Sequence, residues 1–146
     1  MAVRVAIASQ KGGVGKTATA ISLGSALARS GRRVLLVDVD PQANATSGLG
    51  LSKQLAPSVY ELLLRDASLE AASVPTAIPG LDMVPSSSDM ASAEVELVPM
   101  LGREFRLRVS LSRDADHDLV LIDCPPSLGL LTINALVAAD LVIVPV

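Results

Sequence analysis

The chain has 146 residues, a formal net charge of −3 and one cysteine, and 50% of its residues are hydrophobic. We expect one domain over residues 1–146 that needs no metal or disulfide to fold and has no global attraction to nucleic acid or anionic membranes. A signal-type segment and a long apolar span do not occur in the sequence, which favours a cytoplasmic protein.

A short apolar run at residues 3–8 predicts a buried strand, which leads into the glycine-rich stretch Ser-Gln-Lys-Gly-Gly-Val-Gly-Lys-Thr at residues 9–17. In such a stretch, backbone N–H groups turn towards phosphate oxygens, the ammonium of Lys16 reaches a nucleotide tail and the hydroxyl of Thr17 is a Mg²⁺ ligand. The match to the general phosphate-loop pattern is imperfect, because Gln10 stands where the pattern has glycine. Lys11 adds a second cation, facing the phosphates of its own nucleotide or of one held by a second subunit. A tight turn that merely holds two lysines is the alternative.

The loop leads into a helical pattern at residues 16–29, whose small residues allow close packing on a sheet. Gly31 is expected to end this helix, and the apolar run at residues 33–37 predicts a second strand. The polar stretch at residues 38–50 has no periodicity and follows that strand, so we predict a mobile switch loop beside the phosphate loop.

The middle of the chain is less regular. Residues 57–64 predict a short helix, and residues 74–78 and 81–84 predict two short strands. Residues 88–111 have a helical pattern that Pro99 and Gly102 interrupt, so a break is expected near Val98. The same region holds the basic cluster of the sequence, for which a solvated helix face is favoured over a partner-docking face; its members are Arg103, Arg106, Arg108 and Arg113.

A buried strand at residues 118–122 ends at Asp123, which is where a phosphate-loop enzyme places an aspartate that holds Mg²⁺ directly or through water. Cys124 follows that strand and is expected to be a small core residue rather than a nucleophile. A helix at residues 128–138 and an apolar strand at residues 141–144 complete the pattern. Because a domain rarely ends as such a strand leaves the sheet, we expect a longer protein.

Three stretches in the same chain order carry a family resemblance. Lys-Gly-Gly-Val-Gly-Lys-Thr at residues 11–17 resembles the deviant Walker A motif of the ParA/MinD family of P-loop ATPases. Asp-x-Asp-Pro-Gln-x-Asn-x-Thr at residues 38–46 resembles the switch I segment of ParA proteins, and Asp-x-Pro-Pro at residues 123–126 resembles the family's switch II entry. Together these stretches imply a doubly wound, mainly parallel α/β sheet of the P-loop NTPase type, of which this chain is the N-terminal part.

The resemblance also implies roles for single residues. Asp40 orients the attacking water, while Lys11 and Lys16 neutralise phosphate charge. Thr17 and Asp123 hold Mg²⁺, and Asp38 supports the metal site without touching the ion. The expected nucleotide-binding set is Lys11, Gly12, Gly13, Val14, Gly15, Lys16, Thr17 and Ala18, although ParA relatives often have threonine at the position of Ala18.

The implied function is that of a partitioning ATPase. ATP with Mg²⁺ brings two subunits together, the homodimer binds nonspecific DNA through the part that follows this chain, and a ParB-type activator triggers hydrolysis on the nucleoid. No stable membrane insertion is expected. Two alternatives stay open: a membrane-associated positioning ATPase of the MinD type, and an ATP-dependent ligase or kinase for a small molecule on the same fold.

Overall fold

The apolar runs of the sequence become the strands of one six-stranded sheet in the computed structural model, which describes residues 2–9 and 15–146. The strand order is β3-β4-β2-β5-β1-β6, and all pairs are parallel except β3 with β4. Runs that are apolar on both faces suit parallel strands, because helices cover both sides of such a sheet. The strands are β1 Val3–Ile7, β2 Val34–Asp38, β3 Val74–Pro75, β4 Leu81–Val84, β5 Leu119–Asp123 and β6 Leu141–Ile143.

Helices connect these strands. The α-helices of the described residues are α1 Lys16–Arg29, α2 Asn44–Gly48, α3 Val59–Leu64, α4 Leu69–Ala72, α5 Ala93–Leu97, α6 Arg106–Leu111 and α7 Leu130–Ala138, and 3-10 helices lie at Ser88–Ser92 and Arg103–Phe105. The expected doubly wound, mainly parallel α/β fold is therefore confirmed.

The two faces of the sheet are covered differently. On one face α1 packs through small residues, and a Cβ atom added at Gly24 would lie 3.4 Å from Leu81 and 3.5 Å from Leu121. On the other face α3, α5, α6 and α7 contribute buried aliphatic side chains to a larger cluster that includes Leu107 and Leu131. Close approach of α1 brings its first turn directly over the ends of the strands.

Four expectations need correction. The stretch at residues 38–50 contains the short helix α2, because the side chain of Asp38 accepts hydrogen bonds from Thr46 and orders the chain there. The strand expected at residues 74–78 is limited to Val74–Pro75, and the helical pattern at residues 88–111 forms separate short helices. Helix α4 was not predicted; the side chain of Ser68 caps it by accepting a hydrogen bond from the N–H of Ala71.

Other expectations for these middle elements are confirmed. The break near Val98 is present, and α3 occupies most of the helix expected at residues 57–64, beginning after a capping box of Ser58 and Glu61. In the basic cluster, Arg108 and Arg113 are exposed. Arg106 instead donates to the carbonyl of Leu63 at 2.7 Å and to Asp66 at 2.8 Å, so one of the four arginines ties α6 to the end of α3.

Candidate nucleotide-binding site

The carboxyl ends of β1, β5 and β2 lie side by side and set the position of the site. Asp123 is the Cα partner of Ile7 on one side and of Asp38 on the other. β1 is the strand that precedes the glycine-rich stretch, and its described end at Ile7 lies beside Asp123. In open α/β sheets this edge is where ligands bind.

Helix α1 begins over this edge with an end that is suited to an anion. Gly15 precedes it with φ of 76°, in the left-handed region that favours glycine. No side chain caps the helix, and its first turn holds no acidic residue. The helix itself therefore contributes no carboxylate to its positive end, and such a helix start suits an anion.

Lys16 and Thr17 both contact Asp123. The Nζ of Lys16 lies 3.3 Å from one carboxylate oxygen of Asp123, and the hydroxyl of Thr17 donates to the other at 2.9 Å. Asp123 is fully buried, and burial raises its pKa although Lys16 and Thr17 act in the opposite direction. The two residues at the start of α1 are thus tied to the end of β5.

Asp40 lies on the other side of Lys16. Its Oδ2 is 3.8 Å from the Nζ of Lys16, and its Oδ1 accepts a hydrogen bond from the backbone N–H of Gln42 at 3.0 Å. Its exposed fraction is 3%. The carboxylate is therefore held close to the lysine that the sequence assigns to the phosphates.

Asp38 is the centre of a buried network that fixes the backbone around Asp40. Its carboxylate accepts hydrogen bonds from the hydroxyl of Thr46 at 2.7 Å, from the N–H of Thr46 at 3.0 Å and from the N–H of Asp40 at 3.1 Å. Burial raises the pKa of Asp38 to about 7, while the bonds from Thr46 act to lower it. The role of Asp38 beside the metal site stays a prediction.

Ser86 was not predicted from the sequence and completes this network. Its hydroxyl donates to the carbonyl of Asp40 at 2.8 Å, and its N–H donates to the hydroxyl of Thr46 at 2.9 Å. It is fully buried two residues after β4. A serine in a run of three has no local signal for this role, because its partners are 40 and 46 positions away in the chain.

Similarity to known proteins identifies the family of the chain. A family model described as an AAA domain, AAA_31, matches residues 2–146. The chain belongs to this family.

Two curated relatives of this AAA_31 chain are partitioning proteins. The sporulation initiation inhibitor protein Soj of Bacillus subtilis is 52% identical over 144 residues, which are 97% of this chain and 57% of Soj. The chromosome partitioning protein ParA of Myxococcus xanthus is 52% identical over 143 residues, which are 97% of this chain and 50% of that protein. The resemblance to ParA/Soj proteins is confirmed, and the chain spans about half the length of the curated relatives it matches.

A solved structure adds a relative with a different name. It is a cobyrinic acid a,c-diamide synthase from Mycobacterium smegmatis with a bound ATP analogue and magnesium. The likeness has a TM-score of 0.96 and 49% identity, and it covers 100% of this chain and 60% of that one. The same architecture is thus associated with ATP and magnesium in a relative.

The donor set of the AAA_31 chain fits Mg²⁺ bound together with a nucleotide. Mg²⁺ takes oxygen ligands, commonly one or two carboxylates with phosphates and water, and Thr17 and Asp123 offer neighbouring oxygens. The described ranges contain no group of three or more His, Cys, Asp or Glu residues that could hold a metal. The ion would therefore depend on phosphate oxygens as well as on Thr17 and Asp123.

The structure brings Lys16, Thr17, Asp40 and Asp123 together and leaves Asp38 directly behind Asp40. Ala18 is exposed in the first turn of α1, beside Gly15 and Thr19 on an open surface. Gln10, Lys11, Gly12, Gly13 and Val14 lie outside the described residues, so the expectations for Lys11, Gly12, Gly13 and Val14 stay predictions.

Two further findings concern the surroundings of the site. Cys124 is fully buried, and burial, reinforced by the charge of Asp123, raises the pKa of its thiol to about 12. This agrees with a core residue and disagrees with a nucleophile. Among the residues that the structure describes, no helix is long and apolar enough to span a bilayer.

Proposed function

We propose that this chain is the nucleotide-binding part of a ParA/Soj-type partitioning ATPase. The observation that carries the proposal is the meeting of Lys16, Thr17, Asp40 and Asp123 at one edge of the sheet. A lysine and a hydroxyl at the start of a helix, with an aspartate at the tip of a neighbouring strand, are the parts that P-loop enzymes use for phosphoryl transfer. The names of the curated relatives support the partitioning role.

Each of these residues has a distinct task in hydrolysis. Lys16 binds the phosphates by charge, and its place between Asp40 and Asp123 keeps the ammonium at the edge where the loop ends. Asp40 accepts a hydrogen bond from the attacking water and orients it towards the γ-phosphate. Thr17 and Asp123 would hold Mg²⁺, which when bound neutralises charge on phosphate oxygens.

The network behind Asp40 supports a role in orienting water. Asp38 and Ser86 hold the backbone of residue 40, and buried Thr46 is hydrogen-bonded to both of them. A group that positions a water must itself be fixed to within a fraction of an ångström, since small displacements of a reacting group can cost about 100-fold in rate. The buried hydrogen bonds provide that restraint.

Assembly and partners form the finer part of the proposal. ATP with Mg²⁺ brings two subunits face to face, the dimer binds nonspecific DNA through regions beyond residue 146, and a ParB-type protein stimulates a slow hydrolysis on the nucleoid. Lys11 then acts across the dimer on the partner's phosphates, and Gly12, Gly13 and Val14 contribute backbone N–H groups to their own subunit's nucleotide. The support for this part is the family resemblance of residues 11–17 and the names of the relatives.

A second candidate function is favoured by one observation, the name of the solved relative from Mycobacterium smegmatis. On this alternative the protein uses ATP to form cobyrinic acid a,c-diamide. The two candidate functions differ in the process that requires ATP, which is DNA retention for the partitioning ATPase and amidation for the synthase. Incubation of the full-length protein with ATP, Mg²⁺, cobyrinic acid and an amino-group donor would give a diamide product on the alternative and none on the leading proposal.

The proposal is tested by Asp40→Ala in the full-length protein. We expect ATP affinity within about threefold of wild type, since orienting water contributes little to ground-state binding, and turnover at least 100-fold lower. The variant should accumulate as an ATP-bound dimer that retains DNA. Turnover is measured by phosphate release with and without DNA and the partner protein, and dimer formation is measured by sedimentation.

Asp89→Ala is the matched control, because Asp89 is an exposed aspartate in the 3-10 helix Ser88–Ser92. It should hydrolyse ATP at the wild-type rate. Wild-type turnover in Asp40→Ala would show that another residue orients the water. ATP-dependent amidation without ATP-dependent DNA retention would replace the partitioning proposal by the synthase alternative.

A further inference from the structure

Glu94 makes a contact that neither the sequence pattern nor the proposed site explains. It lies on α5, and its Oε1 accepts a hydrogen bond from the backbone N–H of Leu131, in the first turn of α7, at 3.1 Å. Helix α7 has nine residues, no acidic residue in its own first turn and a glycine, Gly129, at its N-cap. Glu94 thus supplies from another helix the carboxylate that a helix start favours.

Gly129 fits this arrangement closely. A Cβ atom added there would collide with the carboxylate of Glu94. The backbone of Gly129 has φ of −79° and ψ of −173°, which any residue can adopt. The absence of a side chain at Gly129 leaves space for the carboxylate of Glu94, and a methyl group there would displace this flexible carboxylate from the start of α7.

The first turn of α7 holds one end of the segment that connects Asp123 to this helix. We call residues 124–129 the exit segment, because they connect Asp123 to α7. The N–H of Cys124 donates to the carbonyl of Ile7 at 3.2 Å, and the hydroxyl of Thr132 donates to the carbonyl of Ser127 at 2.5 Å. The exit segment is thus held by the sheet at one end and by the first turn of α7 at the other.

The body of α7 has separate restraints. Asn134 is fully buried; its side-chain amide donates to the carbonyl of Arg103 at 2.7 Å and its Oδ1 accepts from the N–H of Leu107 at 3.1 Å. Leu131 and Ala135 add apolar packing. Loss of the Glu94 contact would therefore loosen the start of α7 while the remainder of the helix stays in place.

The exit segment lies next to the phosphate-binding side of the molecule. Pro125, Ser127 and Leu128 line one cavity together with Ala8 and Ser9, and Ser9 is the first residue of the glycine-rich stretch. Residues 126–128 are exposed there. Any change in where α7 begins moves these residues relative to the nucleotide site.

We propose that Glu94 is a positioning residue for ATP turnover: it fixes the start of α7 and, through α7, the exit segment, which lines one cavity with Ser9. The proposal rests on the proposed ATPase function. In the part of the chain that the structure describes, the hydrogen bond of Glu94 goes to α7 and not to Lys16, Thr17, Asp40 or Asp123. Its effect is on the fraction of molecules in which the exit segment is correctly placed, and so on kcat rather than on ATP affinity.

The test compares Glu94→Ala, Glu94→Gln and Gly129→Ala in the full-length protein. We expect Glu94→Ala and Gly129→Ala to lower kcat about tenfold, with the Kd for ATP within about twofold of wild type. Glu94→Gln keeps an oxygen acceptor for the N–H of Leu131 and should stay within about threefold of the wild-type kcat. Because both alanine variants break one contact, the double variant should be no worse than either single variant.

Glu96→Ala is the matched control. Glu96 also lies on α5, but its carboxylate accepts hydrogen bonds from Tyr60, Arg65 and Ser92 and makes no contact with α7 among the described residues. It should leave kcat unchanged. Amide hydrogen exchange provides a readout that does not require activity, and the Leu131 amide should exchange faster in Glu94→Ala and Gly129→Ala but not in Glu96→Ala.

The outcomes separate the two proposals. Three results would each overturn the role of Glu94. The first is an unchanged kcat in Glu94→Ala, and the second is an equal loss of kcat in Glu94→Ala and Glu96→Ala. The third is a loss of kcat in Glu94→Ala that is explained by a loss of folded protein, seen as a lower thermal midpoint. If wild-type protein binds ATP but does not hydrolyse it, the proposed function fails. Exchange then decides the remaining claim: faster exchange confined to residues 126–132 supports positioning by Glu94, and unchanged exchange refutes it.

Discussion

The ionisable side chains at the two ends of the sheet have opposite arrangements of charged partners. At the carboxyl ends of β2 and β5, Asp40 and Asp123 share the ammonium of Lys16, and burial raises the pKa of Asp123. At the amino ends of β4 and β5, His117 lies between two carboxylates, with Nε2 2.8 Å from Asp82 and Nδ1 2.9 Å from Asp114. One end of the sheet thus holds two carboxylates beside a single lysine, and the other end holds a histidine between two carboxylates.

This difference separates ligand binding from stability. Burial disfavours the ionised form of Asp123, which would gain from an added cation, so on the proposed function the carboxyl end serves a metal and a nucleotide at some cost to the unliganded fold. The amino end needs no ligand. Substitutions at the carboxyl end should therefore alter binding more than folding, and those at the amino end should do the reverse.

The largest expected effect is that of Lys16→Ala at the carboxyl end. Loss of the ammonium should weaken ATP binding at least about 30-fold in the full-length protein, because a charged partner buried against phosphates contributes roughly 2–5 kcal/mol. Calorimetric titration with ATP measures this. Lys53→Ala is the control, since Lys53 is exposed, and it should bind ATP as wild type does. Equal affinities for Lys16→Ala and wild type would remove the P-loop assignment.

A smaller effect is expected from replacing aspartates at the two ends of β5. Asp123→Asn should lower ATP affinity about 10–100-fold in the presence of Mg²⁺ and much less in EDTA, with a thermal midpoint equal to or above that of wild type. Asp118→Asn is the matched variant. Hydrogen bonding to the N–H of Arg33 lowers the pKa of Asp118. Loss of the Asp118 carboxylate should therefore lower the thermal midpoint without changing the affinity for ATP. The comparison breaks if Asp118→Asn affects ATP binding as strongly as Asp123→Asn does.

The smallest effect concerns pH and His117. Burial acts to lower its pKa, but the hydrogen bonds and charges of Asp114 and Asp82 outweigh burial and raise it above 6.5. The stabilisation is therefore fully present below the unfolded-state pKa and is lost as pH rises through the folded-state pKa. Glu70, Arg113 and Asp116 line the adjoining cavity.

We expect His117→Gln to lower the free energy of unfolding by about 1–2 kcal/mol at pH 6 and by less at pH 8.5, with ATP affinity unchanged. Urea denaturation at both pH values measures the difference. A loss that is the same at both values would show that the histidine contributes packing rather than charge.

The sequence predicted those parts of the molecule in which the signal is local. Apolar runs without interruption predicted the parallel strands, and the chain order of Lys16, Asp40 and Asp123 predicted that they meet, because parallel strands bring their carboxyl ends to one edge. The helical pattern at residues 16–29 similarly predicted α1, which runs over Lys16–Arg29 as expected.

The remaining features depend on contacts between distant positions. Helix α2 has a polar, turn-like sequence and forms around the hydrogen bonds of Thr46 with Asp38. Ser86 and Glu94 act on residues 46 and 37 positions away, respectively, and nothing in their neighbourhoods distinguishes them from other serines and glutamates. Periodicity cannot reveal such contacts, since they exist only once the sheet and helices have assembled.

The buried thiol at the end of β5 has a consequence for experiment. Cys124 is the only cysteine of the chain, and at neutral pH it is protonated and shielded, so a thiol reagent reacts with the protein only when this part of the fold opens. Cys124 is therefore an intrinsic probe of local opening, one residue from Asp123. The rate at which the thiol reacts with reagent reports the opening of that edge. Any ligand that holds the edge closed should lower this rate, and the measurement needs no added label.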